Sequence, residues 1–238
     1  MKICVAQTRA VKGDIKRNLA NHQKWIELAV AKGADLIIFP ELSLTGYEPT
    51  LARQLATHLE DRRLDDLQKM SDEHGIIIGV GLPTTSAAGI GISLILFQPH
   101  QARQLYSKKY LHADEEPFFT SGENLTNLVI DKTPIALAIC YELLVPDHAA
   151  AAHQNNARIY LASVAKSASG VEKAHKRAVD IARDYKMLVL MANSVGESDD
   201  FVSAGQSAIW DSTGSLLGRL NDSQEGILII DTATQTLV

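Results

Sequence analysis

The feature that most constrains this chain is an alternation of strand and helix periods running almost from end to end. Residues 2–7 (KICVAQ) alternate polar and apolar, as a strand does. Asp14 then stands as an N-cap before Ile15, Leu19, His22, Ile26 and Val30 at helical spacing, with Gly33 as the stop. LIIF (36–39) reads as a buried strand ending at Pro40, and a charged, helix-like stretch covers about 52–74, closed by Gly75. IIIGV (76–80), ISLILF (92–97) and RQLYS (103–107) read as strands between Gly, Pro and Ser turns. After a polar loop at 112–124, LTNLVI (125–130) and PIALAIC (134–140) are two more. A short helix at 146–157, a strand at 158–163 and an amphipathic helix at 171–186 follow. Strands at 187–192, 207–210 and 226–230 complete the set.

About ten strands against four helices exceed what a simple five-strand doubly wound sheet holds. Two packed sheets covered by helices accommodate them. No linker, low-complexity segment or fixed-period repeat interrupts the chain, so residues 1–238 read as one domain. A 46% hydrophobic fraction supplies a sizeable core and excludes intrinsic disorder. With 23 basic and 28 acidic residues the net charge is −5, which argues against a nucleic-acid partner. There is no run of about 18 apolar residues to span a membrane, and the opening apolar stretch is too short for a signal peptide. Only Cys4 and Cys140 are present, which excludes a disulfide framework and makes a reducing cytoplasm the default location.

Phosphate-cradling Gly-x-x-x-x-Gly-Lys-Ser/Thr, dinucleotide-binding Gly-x-Gly-x-x-Gly and a Gly-x-Ser-x-Gly elbow are all absent from the sequence. The eight histidines form neither His-x-x-x-His nor a tight Cys/His cluster, so no metal is expected. Cys140 ends the apolar run IALAIC and precedes a helix opened by Pro146. A thiol there meets backbone N–H groups and a favourable dipole, and both lower its pKa. Taken alone, such a cysteine is more often a small buried hydrophobe. Glu41 follows LIIFP directly, where a strand leaves the core, and partial desolvation there suits a general base. An isolated Glu is more often a solvated loop charge. Lys108 and Lys109 end a strand in YSKKYL; one could neutralise charge on a substrate oxygen, or both could pair with Asp114, Glu115 and Glu116 on the surface.

Glu, Lys and Cys, each at the end of an apolar strand, are more specific together than singly. FPELSLTGY (39–47), YSKKYLHADEEPFF (106–119) and ICYELLVPD (139–147) resemble the glutamate, lysine and nucleophile motifs of the carbon–nitrogen hydrolase (nitrilase) superfamily. The resemblance covers essentially the whole chain. It places Glu41 as general base, Lys108 rather than Lys109 as the catalytic lysine, Cys140 as nucleophile and Glu115 as a further glutamate orienting the lysine. Asn193 in MANSVG and the later FVSAGQSAIWDSTG are similar to the family's Asn-x-x-Gly and Gly-x-Ser-x-Ile segments. Two positions depart from the pattern. Tyr110 stands where His is usual, and Tyr141-Glu142 follows the nucleophile where the nitrile-cleaving branch has Trp-Glu, which favours amidase-type chemistry. At 238 residues the chain is also short for the family.

The resemblance implies an α/β fold with a four-layer α-β-β-α sandwich and a homodimer or larger homo-oligomer. It also implies hydrolysis of a small carboxamide through a cysteine thioester, with no cofactor. N-carbamoyl compounds and nitriles are alternative substrates on the same scaffold. A branch that passes the acyl group to an amine or lipid usually carries membrane segments or a ligase domain, neither of which these residues contain. A non-catalytic small-molecule binding or regulatory module is the alternative of another class, against which the complete Glu41, Lys108 and Cys140 set argues. Tyr141, Phe119 and Lys166 are candidate substrate-binding residues, with Phe118, Ala165 and Phe201 in loops that could join them. Lys166, after the strand RIYLASVA, could bind a substrate carboxylate, or be a solvated loop charge.

Overall fold

A computed structural model describes residues 1–123 and 128–238. Its first half contains β1 (Lys2–Gln7), α1 (Ile15–Ala31), β2 (Leu36–Ile38), α2 (Ala52–Leu55), α3 (Asp65–His74), β3 (Ile77–Ser86), β4 (Gly89–Phe97) and β5 (Gln104–Ser107). The second half contains β6 (Leu128–Ile130), β7 (Thr133–Ile139), α4 (Pro146–Gln154), β8 (Ile159–Val164), α5 (Ala168–Tyr185) and β9 (Leu188–Asn193). It ends with β10 (Val195–Ser198), β11 (Phe201–Ala204), β12 (Ala208–Trp210), β13 (Leu216–Arg219), β14 (Gly226–Asp231) and β15 (Thr236–Leu237).

One sheet has seven strands in the order β15-β14-β1-β2-β3-β4-β5; the other has six, β13-β12-β9-β8-β7-β6. β1, β2 and β3 run parallel at the centre of the first sheet, and β7, β8 and β9 at the centre of the second, with antiparallel strands outside. β10 and β11 form a separate hairpin.

The period-2 alternation explains how the layers stack. Ile3 and Val5 of β1 point into one cluster with Ile135, Leu137, Ile139, Leu161 and Leu190 of the other sheet. Their neighbours Cys4 and Ala6 face the opposite way, against Ile26 and Ala29 of α1. On the far side Ala136, Ala138, Tyr160 and Ala162 pack against Ala174, Ala178, Ile181 and Ala182 of α5. The result is helix, sheet, sheet, helix: the four-layer α-β-β-α sandwich expected from the sequence. Asp14 caps α1 as read, its side chain accepting from the Arg17 N–H. Among the described residues no helix is long and apolar enough to cross a membrane.

The structure corrects several boundaries. The helix expected over about 52–74 is two helices, α2 and α3, because Ala56 turns to extended geometry. Thr57 then pairs with the second half of β3 through Thr57 N–H to Pro83 O (3.1 Å) and Thr85 N–H to Thr57 O (2.7 Å). Asp61 recaps the chain by accepting from Arg63 N–H at 2.8 Å. No Gly or Pro marks this break, so tertiary pairing overrides local propensity. β3 extends to Ser86, well past the run IIIGV, and the β10–β11 hairpin, β13 and β15 carry no apolar run that announced them. Of the strand expected at 125–130, only 128–130 falls within the described residues.

Two features hold the Glu41 loop onto the sheets. His22 of α1, buried and stacked on Phe39, bridges Asn18 O (2.7 Å) and Ser43 Oγ (2.9 Å) from behind. In front, Ser163 Oγ of β8 donates to the Phe39 carbonyl at 2.7 Å, tying the two sheets where β2 ends. Gly81 of β3 lies so close that an added Cβ would press into the Pro40 carbonyl oxygen and the Leu42 nitrogen. Both are backbone atoms that cannot swing aside. Gly81→Ala is therefore expected to destabilise the fold by about 1–3 kcal/mol. Urea denaturation checks this, and an unchanged midpoint would contradict the close approach.

Candidate active site

The carboxyl ends of β2 and β7 bring together residues far apart in sequence. Glu41 follows β2 in the loop through Pro40, and Cys140 follows β7 at the head of a short 3-10 turn, Cys140–Leu144. Cys140 has φ of +47°, in the left-handed region that a side-chain-bearing residue seldom adopts. The turn redirects the chain, and the strained residue is the one bearing the thiol. Lys108 leaves β5, its backbone pinned by N–H to Ile92 O (2.8 Å) and by Gly122 N–H to its own carbonyl (2.7 Å).

Lys108 is wholly buried, and its Nζ lies 2.8 Å from Glu41 Oε1 and 2.6 Å from Glu115 Oε1. Glu115 also accepts from the Tyr47 hydroxyl at 3.0 Å and, through Oε2, from His112 N–H at 2.8 Å. Burial alone would lower the Lys108 pKa. The negative charge of Glu41, followed by Cys140 and Glu115, outweighs it and holds Lys108 above the ordinary value, hence charged. One ammonium between two carboxylates leaves one negative charge uncompensated. It faces Cys140: among the described residues Glu41 Oε2 is buried without a hydrogen-bond partner, and the Cys140 thiol acts to stabilise its charge. Burial raises the Glu41 pKa, Lys108 opposes that rise, and Glu115 adds to it.

Cys140 Sγ donates to the Ala165 carbonyl at 3.6 Å. Its pKa is pushed up to about 11, first by burial and then by the charge of Glu41, against the lowering effect of Lys166 and Lys108. The sequence led us to expect a pKa depressed by a helix N-terminus. The structure reverses that expectation: the 3-10 turn separates Cys140 from α4, and burial beside a carboxylate dominates. At neutral pH Cys140 is therefore a thiol, and the carboxylate of Glu41 is a neighbouring group able to accept a proton.

These groups open onto a cleft of about 340 Å³ lined among others by Tyr47, His112, Glu115, Cys140, Tyr141 and Lys166. A larger depression of about 870 Å³ lies between the start of α1 and residues 51–66, away from all four reactive groups. Tyr141, Ala165, Lys166 and Phe201 line the smaller cleft as the sequence allowed. Phe119 does not: it is 4% exposed and packs into the core between the sheets. Phe118 points to solvent and also stays out of the cleft. Lys166 is 7% exposed, so it is not the solvated loop charge of the bland alternative. Lys109 is exposed, with its ammonium over the Tyr110 ring.

Sequence reasoning missed three groups. Tyr47 belongs to the glutamate motif, and its place in that motif was the available signal. His112 and Asp114 pair at 2.6 Å on the cleft wall. Glu142, buried two residues after Cys140, joins the Cys140 turn to the Lys108 loop. Its carboxylate accepts from Ile139 N–H (2.8 Å), Lys109 N–H (2.6 Å) and the Tyr106 hydroxyl (2.7 Å). A carboxylate that close to a strand-ending cysteine was the signal for it. Asn193 braces the adjoining loop, accepting from Lys166 N–H at 2.9 Å and donating to Gly205 O at 2.7 Å.

The chain is similar to known enzymes over nearly its whole length. A glutamine-dependent NAD(+) synthetase from Thermotoga maritima is 26% identical over 97% of this chain, which spans only 42% of that enzyme's length. An (R)-stereoselective amidase from a Pseudomonas species is 26% identical, over 91% of this chain and 80% of that enzyme. A solved structure of the amidase from Nesterenkonia sp. AN1 superposes with a TM-score of 0.88 at 25% identity, covering 97% of this chain and 92% of that one. That structure is of a glutamate-to-glutamine variant whose active-site cysteine has undergone Michael addition of acrylamide. The sequence model of the carbon–nitrogen hydrolases matches residues 2–237. The chain belongs to the carbon–nitrogen hydrolase family, within the nitrilase superfamily.

Proposed function

We propose that the protein hydrolyses a small carboxamide through an acyl thioester on Cys140, with residues 1–238 acting as one domain. The observation that carries this reading is the hydrogen-bond-free carboxylate oxygen of Glu41 beside a buried, charged Lys108 and a thiol held at positive φ. An amide carbonyl is a poor electrophile, so attack needs both a base and support for the oxyanion. Glu41 takes the Cys140 proton as Sγ bonds to the carbonyl carbon. Lys108 and the Tyr141 backbone N–H hold the developing oxyanion. Glu41 then returns the proton to the nitrogen, the C–N bond breaks, and ammonia leaves a thioester. Water, deprotonated by the same carboxylate, attacks that thioester, releasing the acid and restoring the thiol. Glu115 touches none of the reacting atoms in this scheme; it positions Lys108.

Ammonia release from a panel of carboxamides, N-carbamoyl amino acids and nitriles tests the reading. Carboxamides are expected to be turned over best. Cys140→Ala is expected to lose about a thousandfold or more, and Lys108→Met about 10²–10³-fold, each with circular dichroism unchanged. Release that survives Cys140→Ala would contradict the thioester. Preference for a nitrile would move the assignment to that branch.

Glu41→Gln carries a sharper expectation, because its two effects have opposite signs. Amide turnover should fall by about 10²–10⁴-fold as the base is lost. Burial is the main reason the Cys140 pKa is pushed up to about 11, and the negative charge of Glu41 adds to it; the same change removes that charge, so the thiolate should form at lower pH. Modification of Cys140 by methyl methanethiosulfonate, followed by mass spectrometry across pH 6–10, should shift to lower pH in the variant. Buried Cys4, with its own pKa raised by burial, does not compete. A shift to higher pH would contradict the arrangement of charges.

A further inference from the structure

The cleft holds a charge that amide cleavage as such does not use. Its acidic residues are engaged: Glu115 by Lys108, Tyr47 and the His112 N–H, and Asp114 by the His112 ring. Lys166 is different. Its main chain is fixed by Asn193, through N–H to Oδ1 at 2.9 Å, and by Ala204 N–H to its carbonyl at 2.9 Å. Its Nζ has no hydrogen bond and no ion pair among the described residues, although the side chain is 7% exposed. The stem runs along the first turn of α5, where a Cβ added to Gly170 would lie 3.3 Å from the Lys166 Cβ. Lys166 lines the same cleft as Cys140, and its charge favours the thiolate.

Two further features give the α5 side of the cleft the same sign. Lys173, also on the cleft wall, is exposed and has no ion pair among the described residues. α5 itself begins at the cleft, with Ser167 and Gly170 in the lining and no side chain capping its N-terminus. Free N–H groups at the start of an 18-residue helix favour an anion. The stem of Lys166 is packed away while its ammonium opens to the cleft, where an anionic group brought by a ligand would meet a positive charge already held in place.

We propose that the substrate is a small amide that also carries a free carboxylate, with Lys166 Nζ as the counter-ion of that carboxylate. This rests on the amidase reading and names its substrate class. Lys166 is the specificity-determining residue, and Lys173 and the α5 N-terminus add long-range attraction. A cleft of about 340 Å³ admits compounds the size of a short dicarboxylic monoamide.

Glutaramate and its methyl ester test this, since they differ little in shape and by one charge. The ratio of their kcat/KM values should favour the acid by about 10- to 100-fold in the wild type. Lys166→Met should bring that ratio close to one, and Lys166→Arg should keep most of it. A ratio near one in the wild type, or one unchanged in Lys166→Met, would overturn the proposal. A lysine that served only to tune Cys140 would slow both substrates equally. N-carbamoylglycine, run alongside, places the carboxylate on the leaving side of the bond; a Lys166-dependent preference for it supports the same counter-ion with the substrate reversed. Calorimetry of glutaramate with Cys140→Ala, and with Cys140→Ala combined with Lys166→Met, reads the site without turnover. Binding should be present in the first and lost in the second, and equal binding would overturn the proposal. If no amide at all released ammonia, the hydrolase reading would fall while calorimetry still decided the carboxylate site.

Discussion

The buried ammonium of Lys108 is the constraint on which the site depends. An ammonium with no solvent contact survives only with close, well-directed partners. Glu41 and Glu115 supply them from separate segments, at 2.8 and 2.6 Å. Satisfying Lys108 therefore fixes the glutamate loop after β2, the lysine loop after β5 and the turn carrying Glu115 relative to one another. The pairing is also unbalanced. Two carboxylates against one ammonium leave a negative charge, and the geometry directs it to Glu41 Oε2, toward Cys140. The same imbalance adds to the effect of burial in raising the thiol pKa and provides the group that could take its proton.

The two sheets deliver these residues because each is built around three parallel strands whose carboxyl ends gather at one place. β2 delivers Glu41, β7 delivers Cys140, and β8 delivers the Ala165 carbonyl and Lys166. The Ser163–Phe39 hydrogen bond joins the sheets at this spot. Glu142 then ties the nucleophile turn to the lysine loop through buried acceptors, at a desolvation cost that four donors offset. Rigidity at the thiol thus comes from polar contacts, while the four layers rest on alternating apolar faces.

Much of this was legible in the sequence. Alternation gave β1 and continuous apolar runs the other central strands, and their excess over helices suited two packed sheets. Glu41, Lys108 and Cys140 stood out only together, each at the end of an apolar strand, and through the family resemblance of their motifs, which also chose Lys108 over Lys109. What escaped was set by distant partners. The break at Ala56 comes from pairing with β3, and the β10–β11 hairpin lacks a strong apolar pattern. Phe119 looked like a loop aromatic and is a core residue, because the turn at Glu115 folds it between the sheets. The thiol pKa was misjudged in sign, since a local dipole argument could not include Glu41 from 99 positions earlier in the chain. Lys166 was left open between solvent and substrate for the same reason: its burial depends on Asn193 and α5.

The central claim is that Cys140 becomes covalently acylated during turnover. Acid-quenching the wild-type protein during steady-state hydrolysis of its best amide, followed by mass spectrometry of the Cys140 peptide, tests it most directly. The account predicts an adduct equal in mass to the amide minus ammonia, on Cys140 and not on Cys4, that disappears when substrate is exhausted. Sustained hydrolysis with Cys140 unmodified at every quench time, and with Cys140→Ala still active, would contradict it.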